Sequence, residues 1–196
     1  MRKLLIALFV ALAAVSASAQ KIGSYELKDK TYELSLLPRT NGSYMLLIEV
    51  PAGNASDAKL AVSKNDIPKF KKYLNEVLEK SMDWKLTAIN NNVDDFDKIM
   101  PNLKSPDVRV FYHYGDKSCL SNNEPMRALF LYMKKYQHAS VSLMLDGVAF
   151  DNQYIQANVS LDFVYLEELA NFINAIDLDA IERAVKQKQV TDDLFQ

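Results

Sequence analysis

The chain has 196 residues, 49% of them hydrophobic, with 23 Lys and Arg against 25 Asp and Glu, and a single cysteine. A balance this close to neutral argues against a dedicated nucleic-acid surface. One cysteine excludes an intramolecular disulfide, so stability has to come from a core that a chain of this length can bury.

The first residues read as an export signal. Arg2 and Lys3 precede an unbroken apolar run from Leu4 to Val15, and Ala17-Ser18-Ala19 then supplies small residues at a cleavage position. The run falls short of the roughly 20 residues a membrane-spanning helix needs. Residues 1–19 are therefore expected to be removed, leaving residues 20–196 as a single exported domain of the periplasm, cell surface or medium, with a bacterial source the better match. No cysteine stands at the cleavage point to take a lipid.

After a short polar lead from Gln20, Thr31 to Leu37 alternates, with Tyr32, Leu34 and Leu36 on one face, and predicts a half-buried strand. Arg39 to Gly42 supplies a turn, and Ser43 to Val50 runs back as the partner of a hairpin. Pro51 to Asn54 breaks the pattern, and Asp57 to Ser63 predicts a third strand. A helix follows over Asp66 to Met82, capped by Asp66 or Asn65, with Pro68 in its first turn and an apolar stripe of Ile67, Phe70, Leu74, Val77, Leu78 and Met82.

Asn90 to Asn92 predicts a break, and Val93 to Met100 a short helix opened by Asp94 and Asp95. Val108 to Tyr114 is a strand by its β-branched and aromatic content. Asp116 to Pro125 reads as a polar loop containing Cys119. Met126 to Met133 is apolar on both faces, as an interior strand would be. Ala139 to Leu145 and Tyr154 to Ser160 predict two more strands, with turns at Asp146-Gly147 and Asp151-Asn152. A helix over Asp162 to Ile176 and a last one from Asp177 or Asp179 to about Gln189 complete the chain.

Asp66 and Asp162 stand 96 positions apart. The same shift carries Thr31–Leu37 onto Arg127–Met133, so residues 31–82 and 127–176 form a candidate internal repeat. The expected fold is α+β: an antiparallel sheet of about seven strands with amphipathic helices packed on one face, with two tandem β-β-β-α units as its candidate plan.

Chemistry is sparse. The two histidines, His113 and His138, lack the spaced partners of a zinc site. No G-x-S-x-G elbow or phosphate-cradling glycine loop occurs. The aspartates at 94, 95 and 97, and at 177 and 179, lack calcium-loop spacing and suit helix starts instead. Three N-x-S sequons, at Asn41, Asn54 and Asn158, matter only in a host that glycosylates them.

The leading expectation is a non-catalytic binding protein that uses no cofactor or metal. Its partner would be a protein, peptide or glycan gripped by an aromatic strand face of Tyr112, His113 and Tyr114 beside Tyr132, or by the seam between the two units. The alternative is a secreted hydrolase with a site assembled from scattered residues, either His113 with Cys119 or a carboxylate pair.

Overall fold

The computed structural model describes residues 19–39, 43–51, 58–114, 117–121, 123–149 and 156–194. The expected export segment up to Ser18, most of the turn after Arg39, the break after Pro51, the Asp151-Asn152 turn and the sequons at Asn41 and Asn54 lie outside the described residues.

The α+β expectation holds, with the strands divided between two antiparallel sheets. The first contains β1 (Gln20–Leu27), β2 (Lys30–Pro38), β3 (Tyr44–Val50), β4 (Ala58–Ser63), β6 (Asp107–Tyr114) and β7 (Lys117–Leu120) in that order, with the two-residue β8 (Glu124–Pro125) also paired to β6. The second has the order β11 (Gln156–Phe163), β10 (His138–Ala149), β9 (Arg127–Met133) and β5 (Phe96–Ile99). Three helices, α1 (Ile67–Asn90), α2 (Leu166–Ala175) and α3 (Leu178–Leu194), complete the set. No helix of the described residues is long and apolar enough to cross a membrane.

The predicted hairpin is β2 with β3, paired from Leu34 opposite Ile48 to Pro38 opposite Tyr44. Alternation sends Leu34, Leu36, Leu46 and Ile48 inward to a core shared with the second sheet and the helices. Leu37, Met45, Leu47 and Ala61 form a smaller apolar cluster, with Phe111 packed against it. Their alternation with the inward set puts them on the outer face.

Phe172 of α2 ties the molecule together. Its ring centroid lies 4.7 Å from that of Tyr25 in the first sheet and 5.5 Å from that of Phe163 in the second. Lys71 of α1 donates to the Ile176 carbonyl at 2.7 Å, satisfying an acceptor just past the end of α2.

Several segments differ from expectation, each for a local reason. The polar lead from Gln20 is β1: its Gly23 and charged residues mask a strand that buries only Tyr25 and Leu27 and is completed by pairing with β2. Helix α1 runs past Met82 to Asn90, because its stripe rotates to bury Tyr73, Ser81 and Ala88, leaving Met82 52% exposed. Asp66 bonds no helix N–H with its side chain; its carboxylate accepts from Ser63 Oγ and Lys69 Nζ instead.

The predicted Val93–Met100 helix is absent. Phe96 to Ile99 is claimed by the open edge of β9, and Asp94 and Asp95 accept from the Lys134 ammonium and backbone N–H respectively. The loop holding Cys119 is β7, a four-residue strand too short to show a period. Around Asp146-Gly147 the chain shifts register within β10 and does not turn. Asp162 and Phe163 end β11, and α2 begins only at Leu166. Strand β9 is interior as expected, flanked by β10 and β5.

Candidate functional site

A polar cleft of about 470 Å³ opens at one end of the first sheet. That is within the size range of small-ligand pockets, roughly 300 to 1,000 Å³. Separate elements supply its walls. Arg39 follows β2, Tyr44 and Met45 begin β3, Ala61 and Ser63 end β4, Lys64 to Asp66 form the turn into α1, and β6 contributes Asp107 and Arg109.

Backbone bonds set this arrangement. Arg39 N–H donates to the Ser43 carbonyl at 2.9 Å, closing the hairpin end, and Lys64 N–H donates to the Tyr44 carbonyl at 3.2 Å. Asp66 N–H donates to the Ser63 carbonyl at 2.9 Å. In the sheet, Met45 stands opposite Ser63 and Ala61 opposite Arg109. Ala61 has a single methyl, so the neighbouring position leaves space beside the Arg109 guanidinium, and with Met45 it gives the cleft an apolar floor.

Three cations line the cleft: Arg39, Lys64 and Arg109. Arg109 is half-buried, and its Nε donates to Asn123 Oδ1 at 2.6 Å, which leaves its other N–H donors available and fixes its plane. Lys64 Nζ lies 5.3 Å from the centre of the Tyr44 ring, a cation–π contact, and that ring packs against the main core. Among the described residues, no carboxylate forms an ion pair with any of the three.

Two acids share the lining, and they differ. Asp66 is occupied: Lys69 Nζ donates to it at 2.8 Å and Ser63 Oγ at 2.6 Å. Those two bonds, the lysine's foremost, hold its carboxyl below the usual carboxylate range. Asp107 is exposed at the start of β6. Burial pushes the Tyr44 hydroxyl up, and the nearby Glu182 carboxylate adds to the shift, so this phenol stays protonated as a hydrogen-bond donor.

The residues singled out by sequence fall elsewhere. Tyr112, His113 and Tyr114 occupy the far end of β6 from Asp107 and Arg109, and in Cα register they stand opposite Cys119, Ser118 and Lys117 of β7. His113 is thus paired with Ser118, not with Cys119. Tyr132 is in β9 of the other sheet, 2% exposed, with its ring 5.9 Å from that of Phe96. The structure does not bring it to the strand that carries Tyr112. The seam between the units is filled by α1 and α2, which pack on one another and against both sheets. Asp177 caps α3, accepting from Asp179 N–H at 2.9 Å and Ala180 N–H at 3.1 Å.

A second hollow of about 170 Å³ is lined by Trp84, Thr87, Ala88, Val93, Phe96 and Lys98. The Trp84 ring is already engaged, with Lys80 and Lys98 at 5.3 and 5.5 Å from its centre and Phe130 edge-on at 5.5 Å. Among the described residues, no group of three or more His, Cys, Asp or Glu is placed to hold a metal ion. No family model, characterised protein or solved structure matches the chain.

Proposed function

We propose that the protein is an exported, non-catalytic binding protein whose ligand occupies the cleft between the β2–β3 hairpin end, the β4–α1 turn and the start of β6. The observation that carries this reading is that Arg39, Lys64 and Arg109 all line one concave space and have no ion-pair partner among the described residues. Export is supported by the basic, apolar and small-residue sequence at the start of the chain.

The scaffold for this site is read as one of two related units. Strands β2, β3 and β4 lead into α1 as β9, β10 and β11 lead into α2, antiparallel neighbours in both cases. Under a strict 96-residue shift α1 would begin its counterpart at Phe163, the last residue of β11, so relatedness requires a short insertion before Leu166.

Thermal unfolding against a panel of glycans, peptides and small polar solutes tests the binding reading. A ligand at 100 times its dissociation constant adds about 2.7 kcal/mol to the stability. Lys64→Ala combined with Arg109→Ala abolishes that gain if the cleft is the site. A ligand that stabilises the double variant as much as the parent places binding elsewhere and ends the proposal.

A further inference from the structure

We infer that the outer face of the second sheet binds a second copy of this chain, making a two-fold dimer. The cleft belongs to the first sheet, so the two readings stand apart. Alternation along β9 sends Ala128, Phe130 and Tyr132 into the core and turns Leu129, Leu131 and Met133 outward, where Ile99 of β5 joins them. Met133 and Ile99 are 42% and 45% exposed, and the two leucines are half-buried. The buried apolar residues of the helices all belong to the core on the other side, so no described helix covers this face.

The placement of charge identifies the occupant. Leu129 and Ile99 stand opposite one another in register. Asp97 lies two residues from Ile99 along β5, opposite Leu131, and Arg127 lies two residues from Leu129 along β9 in the reverse direction. Both point outward by alternation, and both are exposed. The two opposite charges are therefore roughly 14 Å apart, with the Leu129–Ile99 pair midway between them.

A face that is apolar at its centre, positive at one end and negative at the other is complementary to itself. Turning a second copy over about a two-fold axis through the Leu129–Ile99 pair sets Arg127 of each copy beside Asp97 of the other and brings Leu129 onto its own counterpart. Across from Leu129 and Leu131, β10 presents Ser142 and Ser140, whose small side chains let two aligned sheets close to roughly 10 Å. Four strands roughly 4.8 Å apart and about seven residues long give a flat area of roughly 450 Å² per copy, which places the pair in the small, reversible class of interfaces. An anionic lipid surface would instead select a basic rim, and Asp97 opposes it.

Sedimentation velocity of the purified chain between about 1 and 200 μM tests the dimer. The expected result is a concentration-dependent equilibrium between monomer and dimer. Leu131→Lys puts an ammonium at the centre of the contact and leaves monomer at every concentration. Arg127→Asp and Asp97→Arg each set like charges together and weaken association about tenfold or more, whereas the double variant restores it to within about threefold of the parent. Unfolding curves establish that each variant is folded.

A chain that stays monomeric throughout the range overturns the inference; if it floats with vesicles of phosphatidylserine and phosphatidylcholine unless Leu131 is replaced, the face belongs to lipid. A dimer that persists in Leu131→Lys lies on another face and overturns the inference equally. Single charge reversals that leave association unchanged, or that weaken it without recovery in the charge-swapped double variant, overturn the two-fold arrangement.

Discussion

Two four-stranded arrays, β1-β2-β3-β4 in the first sheet and β5-β9-β10-β11 in the second, each feed a helix, and the polar cleft lies at one end of the first. At the end of the first, Lys64 from the strand-to-helix turn lies over Tyr44 at the start of β3. At the matching end of the second, Tyr165 from the turn meets His138 at the start of β10, ring centroids 5.2 Å apart. The larger difference is the segment between β5 and β9. It forms β6 to β8 and joins the first sheet, carrying Asp107, Arg109 and Asn123 to the cleft. The first array thus gains a further cleft wall from a segment that lies between β5 and β9 in the chain.

The strongest way to break this comparison is to ask whether the two arrays share one core. Phe70 of α1 and Phe172 of α2 are both fully buried. Replacing either by Ala is expected to cost about 3 to 5 kcal/mol in denaturant unfolding. Both variants should shift a single transition; separate transitions for the two sheets would show independent units.

A smaller effect tests the joint. Lys71→Met removes the donor to the Ile176 carbonyl and should cost about 1 to 2 kcal/mol. No loss would mean that apolar packing alone holds α1 against α2. Tyr25→Phe removes the 2.6 Å bond from the tyrosine hydroxyl to the Glu49 carbonyl and should cost about 1 kcal/mol while leaving the second sheet's exchange protection unchanged.

The first array also carries a local strain at its edge. Lys28 and Asp29 both have positive φ, 50° and 60°, in the two-residue turn between β1 and β2. That turn favours Asn-Gly, and Asp29→Gly should raise stability by about 0.5 kcal/mol, the relief of a left-handed residue less the entropy of the glycine. Lys28 remains, with its ammonium 3.2 Å from the Asp162 carboxylate of β11.

The smallest effect is a pH dependence at the start of α1. Bonds from Lys69 and Ser63 lower the folded-state pKa of Asp66, so its contribution is complete above the ordinary carboxylate range and fades as pH falls through the folded value. Asp66→Asn should therefore narrow its stability gap to the parent as pH falls below the ordinary carboxylate range, about pH 4. A gap that stays constant over this fall in pH would show that the carboxylate charge contributes nothing.

Much of the framework was legible in the residues because side-chain burial leaves a period. The β2–β3 hairpin and the buried positions Ile67, Phe70, Leu74 and Val77 of α1 write their environment into the sequence, whereas the two-faced apolar run of β9 buries one face and leaves the other half-exposed. The strands β1, β5 and β7 did not, because four to eight residues at a sheet edge are held by backbone bonds to a neighbour, and those bonds are indifferent to side-chain type. For the same reason sequence could not divide the strands between two sheets. Nor could it place Arg39, Lys64 and Arg109 along one cleft: the pairing of β3 with β4 and β4 with β6 does that, across a stretch of chain in which nothing about any one cation distinguishes it from the other surface charges. The residues determined which faces are apolar; tertiary pairing alone decided which of the charged residues would border the same cleft.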